Sequence, residues 1–183
     1  MNLQDYLTGK GPASDGKTND WLFFSKTDVM SGKLWAGDPN LPNADDGCVV
    51  EVPRGTYVVE GIGMDFHGDR VVSRLRVRLE SAPNPTLGEE AGDAGTDSCT
   101  IGVCDITAFE DAYTHEGGAD KVQDAIDSLE DESFGILKVP EYPDANMPFV
   151  PTGSDGNGPV YALMSGGKCV GIELPFMEDE DTE

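Results

Sequence analysis

The chain has 183 residues, 38% of them hydrophobic and 8% aromatic, which fits one domain whose core needs neither disulfides nor metal. It carries 35 acidic against 12 basic residues, a net charge of −23, and a field of that sign argues against nucleic acid and anionic membrane as partners. No stretch approaches the roughly 18–20 consecutive apolar residues of a membrane-crossing helix. Residues 1–20 lack the apolar core of an export signal, so the expected location is the cytoplasm.

Residues 1–20 mix Gly, Ser, Asp and Lys without a period and read as a loose arm with one short helical turn around Leu3 and Tyr6. A single globular domain is expected over 21–177, followed by a disordered acidic tail, EDEDTE, over 178–183. Within the domain, strands are expected at 21–26, 33–36, 48–52, 56–66, 70–79, 86–90 and 99–104. Asp105 reads as the N-cap of a helix over 106–113. A second helix, 119–129, places Val122, Ala125, Ile126 and Leu129 at i, i+3, i+4 and i+7. Strands at 134–139, 147–150, 159–164 and 169–174 complete the set, the last two joined by Ser165-Gly166-Gly167-Lys168. Short strands, two helices near 105–130 and abundant glycine and proline point to an α+β fold dominated by antiparallel sheet.

The hairpin of 56–66 and 70–79 around His67-Gly68-Asp69 holds four of the chain's five arginines. If Asp65 faces Arg70, Val58, Glu60, Ile62 and Met64 share a core face with Val77, Leu75, Ser73 and Val71. Tyr57, Val59, Gly61 and Gly63 then share the other face with Arg78, Arg76, Arg74 and Val72. Glu60 is thereby expected at the sheet's end or as a buried acid. The stripe of Arg74, Arg76 and Arg78 is expected to pair with the protein's own carboxylates, or to bind an anion such as a carboxylate or phosphate.

Catalytic signatures are missing. There is no HExxH, GxSxG, Walker A or GxGxxG pattern, and the two histidines, His67 and His115, read as loop residues. Asp93-Ala94-Gly95-Thr96-Asp97 reads as a turn, and Gly153-Ser154-Asp155-Gly156-Asn157-Gly158 as a hairpin loop lacking the ligand spacing of an EF-hand. Cys48, Cys99, Cys104 and Cys169 form no CxxC pair and read as free, buried thiols.

Two longer segments carry a resemblance: Ser31-Gly32-Lys33-Leu34-Trp35-Ala36-Gly37-Asp38-Pro39 and Val52-Pro53-Arg54-Gly55-Thr56-Tyr57-Val58-Val59. With the arginine strand, Asp93–Thr96 and the stretch from Gly153 to Tyr161, they resemble the bacterial family grouped as domain of unknown function 4241. Val58 stands where that family has proline. The resemblance covers about residues 30–175 and implies no activity. It implies that Asp38, Asp93 and Asp155 belong to one recurring framework.

These features lead to an expectation of a protein-binding module, possible partners being basic proteins as for toxin-immunity proteins, with no cofactor. The alternative is a hydrolase using clustered aspartates, with metal assistance from Asp93, Asp97 or Asp155. Asp38, Asp93 and Asp155 are the candidates for a shared loop site. The Asp-rich, Lys-poor composition also fits adaptation to salt.

Overall fold

A two-residue turn organises the longest hairpin. His67 and Gly68 both adopt positive φ, 53° and 89°, the handedness that lets strands of right-handed twist meet in a tight turn. In the computed structural model, which describes residues 1–10, 18, 20–40, 42–129, 133–142 and 145–177, this hairpin is β4 (Gly55–Phe66) and β5 (Asp69–Leu79). Before it come a short helix α1 (Leu3–Leu7) and strands β1 (Leu22–Val29), β2 (Lys33–Gly37) and β3 (Gly47–Glu51). After it come β6 (Thr86–Thr96), β7 (Thr100–Asp105), α2 (Ile106–Thr114) and α3 (Gly118–Asp127). The chain continues through β8 (Gly135–Lys138), β9 (Asn146–Pro151), β10 (Gly156–Ser165) and β11 (Lys168–Pro175).

All pairings are antiparallel, in a six-stranded sheet ordered β1-β4-β5-β11-β10-β6 and a five-stranded sheet ordered β3-β2-β7-β9-β8. The fold is therefore α+β and mainly antiparallel, as composition and turn signals indicate. Strand alternation explains the layering. In β2, Leu34 and Ala36 enter the core between the sheets, with Val59, Leu75, Val77, Val160 and Ile172 of the opposite sheet. Trp35 points the other way, into a second core with Cys104, Ile106, Phe109, Val122 and Met147. Helices α2 and α3 thus cover the outer face of the five-stranded sheet.

The first ten residues depart from the loose-arm expectation. Leu3 and Tyr6 are buried in the core between the sheets. Asn2 caps α1 by accepting from the Asp5 N–H at 2.8 Å. The two side chains need bare backbone beneath them: a Cβ on Gly63 would lie 2.4 Å from Tyr6, and one on Gly61 would lie 2.8 Å from Leu3. Those glycines leave room for α1. Residues 11–17, 19 and the acidic tail 178–183 lie outside the described residues.

The register of the β4–β5 hairpin also differs from a uniform pairing. Asp65 faces Arg70 and Gly63 faces Val72, but beyond them Ile62 faces Arg74, Glu60 faces Arg76 and Val58 faces Arg78. Ser73 is the extra residue of a β-bulge. Its hydroxyl donates to the Ile62 carbonyl at 3.2 Å, and its own carbonyl accepts from the Phe176 N–H at 2.8 Å. One inserted residue exchanges the faces of β4 relative to β5. Tyr57 and Val59 turn into the core, and Glu60 turns out beneath the arginines. Arg74, Arg76 and Arg78 still share one face, with Leu75 and Val77 fully buried behind them.

Glu60 is therefore not an edge residue or an orphan acid. One oxygen accepts from Arg76 Nε at 2.6 Å and from Arg78 Nε at 3.1 Å, and the other accepts from Arg78 Nη2 at 3.2 Å. Arg74 Nη2 meets Glu173 of β11 at 2.9 Å, and Arg76 also lies 4.4 Å from the centre of the Trp21 ring. Removing the Glu60 carboxylate leaves two half-buried guanidinium groups without it. Glu60→Ala is expected to cost about 3 kcal/mol in urea unfolding, whereas combining it with Arg76→Met and Arg78→Leu recovers most of that loss. A triple variant no more stable than Glu60→Ala would contradict this reading of the stripe.

Candidate functional site

Each passage of the chain from one sheet to the other leaves polar backbone groups at a corner, and buried aspartates meet two of these corners. Asp105 ends β7. Its carboxylate accepts from the Ser31 N–H at 2.9 Å and hydroxyl at 2.6 Å, fixing the β1–β2 corner, and from the Thr107 N–H at 3.0 Å, capping α2. Asp38, just beyond β2, does the equivalent at the corner between β6 and β7. Its carboxylate accepts from the backbone N–H groups of Asn40, Asp97 and Ser98 at 3.0, 3.0 and 3.2 Å. It also accepts from the hydroxyls of Thr96 and Ser98 at 3.2 and 3.0 Å.

Burial alone would raise the Asp38 pKa, but the donated bonds from Asn40, Asp97 and Ser98 outweigh it and hold the carboxyl below its usual value. A charge so fully committed to its own corner is a structural fastener and has no free lone pairs to offer a substrate. The carboxylates around it differ. Asp93 and Asp97 share a groove of about 320 Å³ with Asp38, joined by Asp45 and Asp46 of the 3-10 turn Ala44–Asp46. Asp45, Asp46, Asp93 and Asp97 are exposed, and no Lys, Arg or His is among the described residues lining the groove. The Asp45, Asp93 and Asp97 carboxylates make no hydrogen bond or ion pair among the described residues.

Asp155 sits apart. It is exposed and lines a neighbouring cavity with Ser154, Pro159 and Phe176, which touches the acidic groove only through Thr96 and Asn157. The two Gly/Asp segments are also not loops throughout. Asp93–Thr96 forms the end of β6 and pairs with the first part of β10, Asn157 facing Gly95 and Pro159 facing Asp93. Gly153–Asp155 is a crossing between sheets rather than a hairpin, because β9 and β10 belong to different sheets. The arginine stripe takes no part: its carboxylate partners are Glu60 and Glu173, so it does not neutralise the groove.

No group of three or more His, Cys, Asp or Glu side chains has a metal-holding arrangement among the described residues, Asp93, Asp97 and Asp155 included. Cys48 and Cys104 are buried and Cys169 is half-buried, but Cys99 is exposed, at positive φ, in the turn that Asp38 fastens. Motif and spacing do not single out the Asp45-Asp46 doublet. Its signal is Asn43, whose side chain caps the 3-10 turn by accepting from the Asp45 and Asp46 N–H groups, so that a cap residue is followed closely by two acids.

Asp38→Ala strands at least three backbone donors and is expected to lower stability by about 3 kcal/mol at pH 7. Because the folded-state pKa is depressed, the charged form's contribution is present above the unfolded value, near 3.8, and is lost as pH falls through the folded one. The difference between wild type and variant in urea melts should therefore shrink below about pH 4; a gap independent of pH would oppose the assignment. No protein-family model matches the chain, and neither curated proteins nor solved structures show a significant match to it.

Proposed function

We propose that the protein is a binding module that acts in the cytoplasm and takes a basic protein partner against its acidic groove, in the manner of an immunity protein. The observation that carries this reading is the groove itself: Asp45, Asp46, Asp93 and Asp97 face solvent together without a basic residue lining it. The arginines most able to neutralise such a surface are committed to Glu60 and Glu173. Uncompensated acids of this kind steer a basic partner and fix its orientation more than they hold it by contact area. Kinship with the family of domain 4241 is compatible with this reading and adds no activity to it.

One observation favours the hydrolase alternative: Asp38, Asp93 and Asp97 converge on a single groove. General acid chemistry asks for a carboxyl held above its usual pKa, and Asp38 is shifted the other way. The basic-partner reading is therefore preferred.

The test uses a lysine-rich peptide as probe and two charge-matched variants. Replacing Asp45, Asp46, Asp93 and Asp97 with Asn should weaken peptide binding about tenfold or more, in a salt-dependent manner. Replacing Glu89, Glu90, Asp120 and Asp124 with their amides removes the same charge elsewhere and should weaken it far less. Equal losses would reduce the groove to part of a diffuse field. Heat released with calcium, magnesium or manganese, abolished by the groove variant, would favour the metal-assisted alternative.

A further inference from the structure

One arginine of the β4–β5 hairpin has no carboxylate. Arg74, Arg76 and Arg78 each meet an acid, but Arg70 forms no ion pair among the described residues, in a chain with 35 acidic side chains. Its Nη1 donates to the carbonyls of Tyr6 and Lys10 at 2.9 and 3.4 Å, and the guanidinium stands 4.8 Å from the centre of the Tyr6 ring. These contacts use Nη1 and one face of the group. The Nε and Nη2 donors make no hydrogen bond among the described residues. They form the edge that meets a carboxylate through two parallel bonds.

Arg70 lines a cavity of about 550 Å³, separate from the acidic groove and bounded by α1, the start of β5, the β6–β7 turn and the end of β9. That size lies within the usual range for small-molecule sites, roughly 300–1,000 Å³. Its apolar lining comes from Leu7, Val71, Phe134 and Pro151, Ser98 and Thr100 add hydroxyls, and the exposed Asp69 and Cys99 border it. Arg70 is the one cation lining it among the described residues; its open edge beside apolar walls selects for an anion with an apolar body, and the Asp69 carboxylate at the border disfavours an anion of more than one charge. Phosphate or sulfate would leave the walls without a partner, and a neutral apolar molecule would leave the guanidinium edge without one.

We propose that this cavity binds a monocarboxylate carrying an apolar ring or chain, its two oxygens on Nε and Nη2 of Arg70 and its body against Leu7, Val71 and Phe134. The proposal is independent of the acidic groove and of any basic partner.

Cys99 provides the readout, because it borders the cavity and is the exposed thiol of the four. Labelling by a small thiol reagent, followed peptide by peptide, is measured with benzoate and with benzyl alcohol. The salt is held near 1 M NaCl, where the Debye length is about 3 Å and the overall negative field is screened. Benzoate should slow Cys99 labelling in a saturable manner, to about tenfold when present at ten times its Kd. Benzyl alcohol, with the same ring and no carboxylate, should not. Arg70→Lys, which keeps the charge but not the two-pronged edge, should lose most of the benzoate protection while retaining the far-ultraviolet circular dichroism of the parent. Equal protection by the alcohol, no protection by benzoate, or full protection in a folded Arg70→Lys variant would each overturn the proposal. The wild-type comparison decides the matter even if the variant does not fold.

Discussion

One extra residue in β5 governs the six-stranded sheet. Without the bulge at Ser73, Glu60 would face the core and Tyr57 and Val59 would face solvent, reversing what each side of β4 must satisfy. With it, Tyr57 and Val59 complete the core against Leu75 and Val77, and Glu60 comes to lie where two guanidinium groups can share it. Three long cationic side chains are thereby held across the outer face of a sheet by acids from the strands on either side, β4 and β11. Burial pushes the Glu173 carboxyl up, and Arg74 and Arg76 pull it down less strongly, so at this end of the ladder desolvation outweighs pairing.

The consequence for function is a division of charge. Three arginines that could balance the surface are consumed inside the ladder, and two aspartates, Asp38 and Asp105, are consumed at the corners where the chain changes sheets. What remains available to a partner is the acid that has no structural duty, and part of it is gathered in the groove beside β3 and β6. Position in the fold, rather than acidity alone, separates the carboxylates that hold the molecule together from those free to bind.

Much of the fold is legible in the sequence because its signals are local. Positive-φ turns at His67-Gly68 and Gly166-Gly167, the Asp105 N-cap and the apolar period of α3 all depend on neighbours a few residues apart. The parts that are not legible depend on distant partners. The Ser73 bulge is set by Ile62 and Phe176, and nothing in the alternation of Arg70–Leu79 marks it. Strand β6 runs on past Glu90 to Thr96, but most of its residues are exposed on both sides, so it lacks the alternation that identifies a half-buried strand. Asp38 finds Asp97 and Ser98 about sixty residues away, and α1, a single short turn, docks where Gly61 and Gly63 leave room for its side chains. For the site, residue type and turn signals point to Asp38, Asp93, Asp97 and Asp155. The structure gives the first a structural duty, keeps the next two in a groove and sets Asp155 beside a different cavity.

The central claim, that the arginine stripe is engaged within the protein and leaves the acidic groove uncompensated, is open to direct observation by nuclear magnetic resonance of the arginine Nε–H groups. If the stripe is engaged, Arg76 and Arg78 show slowly exchanging Nε–H signals near neutral pH, because both donate to the Glu60 carboxylate, and both signals broaden into solvent exchange in Glu60→Gln. Rapid exchange of both in the wild-type protein, indistinguishable from that of the exposed Arg54, would contradict the claim.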